Sequence, residues 1–187
     1  MFNKQHKHGF FERVCFWLKS FCQRRWFVFF GAVVLVCMLG LTIRSSQFPV
    51  RTPDSPLWYD AEHLEKFFCG AGETLRWLYV LTQVSFDSAL PLAYGMLLGM
   101  LTVKYYPVTQ AARWILFPLL AVVCDFLENV LLVSLAITWE CGAATFPALA
   151  SVAPYVLRAK WLLILISVIV AVVGWLRHKR ALYQSSP

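Results

Sequence analysis

Apolar residues run almost unbroken through four stretches of this chain: about Trp26–Ile43, Leu78–Val103, Trp114–Thr138 and Tyr155–Leu176. A helix rises about 1.5 Å per residue and needs about 20 residues to cross a hydrocarbon core about 30 Å thick. Each stretch is therefore expected to be a membrane span. The pattern ahead of the first stretch differs. Phe10, Val14, Trp17, Leu18, Phe21 and Cys22 recur at helical spacing, while Arg13, Lys19, Arg24 and Arg25 fall largely elsewhere. This spacing predicts an amphipathic helix lying in the interface, within a basic leader over residues 1–25. The leader is long and no A-x-A type site comes after the first apolar run, which favours a retained signal anchor over a cleaved signal peptide.

Between the first two stretches, residues 44–77 read as a loop with structure of its own. FPVRTPDSP carries three prolines that forbid regular helix, and Asp54 or Ser55 is placed to cap a helix beginning just after it. WYDAEHLEKFF sets Trp58, Leu64, Phe67 and Phe68 among charges, as a short helix on a membrane surface would. Gly70 and Gly72 should break it, and Trp77 and Tyr79 then fall at headgroup level. The loop is read as a surface-lying connector, with a lid over a site as the alternative.

Composition agrees with the pattern: 59% hydrophobic residues and a mean hydropathy of +0.62 over 187 residues are too apolar for a soluble domain. The expected fold is an all-α integral membrane protein, a single four-helix bundle with the interfacial leader helix in front. Charge orients it. The leader holds Lys4, Lys7, Arg13, Lys19, Arg24 and Arg25; the second link adds Lys104 and Arg113; the tail adds Arg177, Lys179 and Arg180. These segments belong on the cytoplasmic side, so both termini do too, and the charge-balanced 44–77 loop faces outward. The net charge of +7 then reflects topology and attraction to anionic inner headgroups, with no nucleic acid partner. A cell membrane, inner or plasma, is expected ahead of an organelle membrane.

Cysteine and histidine narrow the chemistry. The six cysteines include no C-x-x-C, which argues against a thiol-relay oxidoreductase. Only Cys69 and Cys141 lie on the outer side, where a disulfide forms if the compartment is oxidising. Cys15 and Cys22 share a helix face; they read as buried or idle thiols, with acylation as the alternative. All four histidines lie outside the spans, so membrane-embedded haem ligation has no residues, and the Glu-x-x-His di-iron pattern is missing. His63 lies one turn from Asp60, with Glu62 and Cys69 near, but loop acids are ordinarily solvated. No metal and no cofactor is expected.

The candidate chemistry sits inside the spans. CDFLENVLL places Asp125, Glu128 and Asn129 within five positions of the third span, where a central acid costs roughly 2.5–3.5 kcal/mol on insertion scales. At 100° per residue the three share one face, which should turn into the bundle. QVSFDSALPLAY in the second span carries a matching stripe: Gln83, Asp87, Pro91 and Tyr94. Pro91 has no N–H, so the carbonyl of Asp87 loses its usual partner and a kink is expected. Counting from the inner ends puts Asp87 about 24 Å up, Glu128 about 21 Å and Asp125 about 16 Å. Arg158, about 27 Å up, is the expected countercharge if it turns inward, the alternative being that it seeks the outer interface from the first turn after Pro154. Lys160 points about 200° from Arg158 and is expected to snorkel to the surface. Gly95 and Gly99 mark a close helix approach or a dimer contact.

Span count and buried acids resemble, in a generic way, small four-span membrane proteins of the sterol-isomerase and sigma-2-receptor type. The resemblance extends to no local motif and implies only a small lipophilic or amine ligand. A site of Asp87, Tyr94, Asp125, Glu128, Asn129 and Arg158 is thus expected to bind or conduct a small ligand, cation or proton. Two other classes stay open: an enzyme using paired carboxylates on a lipophilic substrate, and an accessory subunit whose partner is a second copy or another membrane protein.

Overall fold

The computed structural model describes residues 9–53, 59–142 and 148–184, and among them every regular element is helical. The helices are α1 (Phe10–Ser20), α2 (Arg24–Ser45), α3 (Ala61–Thr82), α4 (Ser88–Tyr105), α5 (Val108–Trp114), α6 (Leu116–Thr138) and α7 (Ala148–Gln184), with one π turn, Gln83–Asp87, joining α3 to α4. Four continuous segments are long and apolar enough to cross a membrane: Arg24–Ser45, Ala61–Tyr105, Val108–Thr138 and Ala148–Ala181.

Asp60 starts α3, its carboxylate accepting the N–H of His63 at 2.8 Å, which satisfies one of the orphan donors at a helix start. Asp54, Ser55 and Trp58, the other expected contributors to this loop, lie outside the described residues. The break in α3 falls at Gly72, with φ 67° and ψ 176°. Only glycine takes such an angle without strain, so the first part of α3 and the span after it diverge there. Gly70, by contrast, continues the helix.

Two apolar cores sit at opposite ends of the bundle. At one end Phe48, Tyr59, Phe67, Phe68 and Tyr79 pack against Leu132 and Leu135 of α6 and against Trp139 just beyond it. Cys69 and Cys141 form a disulfide here, with Cα atoms 5.7 Å apart. Arg76 pins the same corner: Nε donates to Phe68 O at 2.6 Å, Nη1 to Trp139 O at 3.0 Å and Nη2 to Cys141 Sγ at 2.9 Å. A guanidinium fork thereby satisfies carbonyls left open where α3 breaks and α6 stops.

At the other end Cys15 and Leu18 of α1 pack on Met100, Val103, Ala111 and Ile115. The leader helix therefore packs Val14, Cys15, Leu18, Phe21 and Cys22 at this end, while Phe10 and Trp17 of the expected stripe, and Phe16, remain exposed. Cys22 adds weak donations to Leu18 O and Met100 O. The C-terminal part of α7 joins this end through Tyr106, whose hydroxyl donates to Val170 O at 3.0 Å.

α7 differs from its expected extent. It runs for 37 residues, starting ahead of Pro154 and continuing past Leu176, because a proline in the second turn removes only the bond to Ala150 O. Gly95 is used within the chain: a Cβ there would fall 2.5 Å from Val122 Cγ2, so α4 and α6 meet closely at this point. Gly99 likewise faces Ile115 and Leu18. α2 is peripheral, resting on α4 and the π turn with only Cys37 fully buried. Between the two cores, where α4, α6 and α7 run together, lies a polar layer.

Candidate functional site

The polar layer is built on α6. Asp125, Glu128, Asn129, Leu132 and Ala136 recur every three or four residues and are all buried, so the stripe faces the bundle as its spacing requires. From α4, Tyr94 donates its hydroxyl to Asp125 Oδ2 at 2.8 Å and reaches Ala121 O at 3.3 Å. From α7, Lys160 Nζ lies 3.2 Å from Asp125 Oδ1 and 2.5 Å from Glu128 Oε2. Asp125 is thus held at both oxygens, by a phenol on one side and an ammonium on the other.

Asp87 joins through its backbone. Its carbonyl, deprived of a helical partner by Pro91, accepts Asn129 Nδ2 at 3.0 Å. The acceptor that the proline frees has found a donor on α6, which ties the two stripes together. The Asp87 carboxylate is buried and acts through space on both Tyr94 and Lys160. The π turn Gln83–Asp87 adds a residue ahead of it, and Ser88 Oγ donates to Gln83 O at 2.8 Å within that turn. Interruptions of this type inside α-helices gather at functional positions.

Five of the six expected residues therefore come together: Asp87, Tyr94, Asp125, Glu128 and Asn129. Arg158 does not. It is exposed, and the cation inside the layer is Lys160, only 7% exposed. The expectation that Lys160 snorkels to the surface is corrected, and Arg158 does not turn inward, which leaves its alternative reading as an interface residue. The reason is register. Ala150, Ala153, Leu157, Lys160, Ser167 and Ala171 are all buried and recur at helical spacing, so they form the packing face of α7. Lys160 is on that face; Arg158, about 200° away, is not. The small and apolar residues three and seven positions before Lys160, and those beyond it, are the sequence signal that points to it. Gln83, one turn ahead of Asp87 on the same stripe, has no exposed surface.

Among the described residues, the carboxyl groups of Asp87, Asp125 and Glu128 and the ammonium of Lys160 are buried in one layer. Asn129 adds an acceptor: its Oδ1 is enclosed and has no hydrogen-bond partner among the described residues. An enclosed acceptor beside carboxyl groups suits a guest that brings positive charge or N–H and O–H groups.

His63 and its neighbours at the start of α3 are otherwise engaged. Asp60 caps α3, His63 Nε2 lies 3.0 Å from Arg51 O, and Cys69 is in the disulfide. Among the described residues no three of His, Cys, Asp and Glu converge as metal ligands do. Comparison of the chain with protein-family models, with curated proteins and with solved structures finds no match. The chemistry therefore rests on the residues themselves.

Proposed function

We propose that this protein is a four-span membrane protein, with both termini cytoplasmic and the disulfide-bearing end outward in a cell membrane, whose polar layer binds a small cation or a proton. Basic residues concentrated at the terminal end support the orientation. The Cys69–Cys141 bridge supports it independently, because disulfides persist on the oxidising side of a membrane.

The observation that carries the binding reading is the joint burial, among the described residues, of Asp87, Asp125, Glu128 and the enclosed acceptor Asn129 Oδ1 with Lys160. A closed structural ion pair needs one acid for one base. Charging several carboxyl groups at membrane depth is costly, and a proton or cation bound among them lowers that cost. Tyr94 and Lys160 position Asp125 and Glu128, while Asn129 holds the Asp87 backbone against α6.

A cation that binds only the folded state raises its melting midpoint by mass action. Purified protein in lipid nanodiscs should therefore be stabilised by sodium, potassium or methylammonium, or by protons as pH falls, in a manner that Glu128→Gln or Asp125→Asn removes. Identical stabilisation in wild type and both variants would exclude the layer as the binding site.

A further inference from the structure

We infer that the polar layer is served from the disulfide end through a cleft between α3 and α6, which makes its guest a small water-borne cation and not a solute arriving from the lipid phase. This rests on the cation-binding reading above. The cleft has a volume of about 430 Å³ and is lined by Glu73, Arg76, Trp77, Val80, Ala136 and Ile137. Its rim is polar. Its floor, Val80 and Ala136, is buried.

The faces that line this cleft are the faces that carry the polar layer. On one side Val80, Gln83 and Asp87 succeed each other at spacings of three and four; on the other Ala136, Leu132, Asn129 and Asp125 do so at four, three and four. At about 1.5 Å per residue, the floor stands about 10 Å above Asp87 and Asn129. Gln83 and Leu132, neither with exposed surface, fill that gap. One of the two is an amide able to donate and accept, and it begins the π turn, where the backbone departs from α-helical bonding. Below the floor of the cleft, Gln83 and Leu132 are thus what stands before the buried acids.

The rim is held open by fixed parts. Arg76 donates to Phe68 O, Trp139 O and Cys141 Sγ, and the disulfide joins Cys141 to Cys69, so Glu73 is presented beside a braced corner. The groove on the lipid side, of about 450 Å³, does not compete as an entrance. It is lined by apolar residues of α2 with Ser85, Phe86 and Ala89. Ser85 and Ala89 each lie two residues from Asp87, so their side chains leave the chain on a different side from its own.

Single cysteines at the floor test this in oriented vesicles. Val80→Cys and Ala136→Cys should react with membrane-impermeant thiol reagents added on the disulfide side, above the wild-type background, and not with reagents added on the other side. A cationic reagent should react on the order of tenfold faster than an anionic one of equal size, a preference that Glu128→Gln reduces. Reaction from the terminal side, no reaction above background at either position, or equal rates for the two charges would overturn the inference. If one variant does not fold, the other carries the test. The sidedness of modification reports access alone, so it stands or falls separately from the cation-dependent stabilisation that tests the site.

Discussion

Lys160 Nζ lies 2.5 Å from Glu128 Oε2, and both side chains are enclosed between α6 and α7. Breaking a buried pair by removing one partner typically costs about 3–5 kcal/mol, because the other charge is left uncompensated. Lys160→Met should therefore lower the melting midpoint sharply. Adding Glu128→Leu to the same chain should recover part of the loss by removing one of the stranded acids. A single Lys160→Met variant as stable as wild type would mean that the acids are neutralised without it.

The two basic residues of α7 should behave differently. Arg158 is exposed, so Arg158→Met should cost no more than about 1 kcal/mol, the range for exposed charged groups and their pairs. Tyr94→Phe deletes a 2.8 Å hydrogen bond to Asp125, a type worth about 1.5–3 kcal/mol when the acceptor is charged. Denaturation of the three variants in one detergent should rank Lys160 first, Tyr94 second and Arg158 last.

The disulfide closes a long loop, its cysteines standing 72 positions apart. Chain-entropy arguments for a loop of this size give about 4 kcal/mol. Cys69→Ser, Cys141→Ser and the double variant should lose similar stability, and the double should lose no more than either single. Thiol counting on unfolded, unreduced protein should find Cys15, Cys22, Cys37 and Cys124 free and the other two bridged.

The leader offers a pH test outside the spans. Burial, helped by the charge of Glu12, raises the Cys15 thiol above its ordinary range, and burial raises Cys22 in the same direction. In the native state both therefore keep their protons to higher pH than in the unfolded chain. The stability this gives is complete below the ordinary thiol range and is lost as pH rises through the higher native values. Cys15 should alkylate slowly at neutral pH, faster only in alkali, and Cys15→Ala should flatten the alkaline fall in stability.

How far the architecture can be read from the chain depends on the kind of signal. The α6 stripe of Asp125, Glu128 and Asn129 is legible because local spacing alone fixes a shared face, and cost dictates that the face turns inward. Pro91 is legible for the same reason, since a missing N–H is a property of one residue. The inward turn of Lys160 is not legible from depth, which it nearly shares with Arg158; the deciding feature is the run of small and apolar residues through Ala153, Leu157, Ser167 and Ala171. The π turn at Gln83–Asp87 has no side-chain pattern of its own. The docking of α1 on α4 and α5 depends on Met100 and Ala111, far away in sequence, so periodicity in the leader shows that a face is apolar without showing what covers it.

Whether the acids around Lys160 hold a guest or only hold each other is measured most directly by proton exchange on cation addition. Methylammonium or sodium is titrated into weakly buffered nanodisc protein with a pH indicator, for wild type, Asp125→Asn and Glu128→Gln. Binding of a cation in place of a proton predicts saturable proton release by wild type, lost in both variants while their helix content remains. Equal release in all three, or none in wild type at any cation concentration together with a melting midpoint indifferent to cations and pH, would contradict it and leave the layer as a structural ion-pair network.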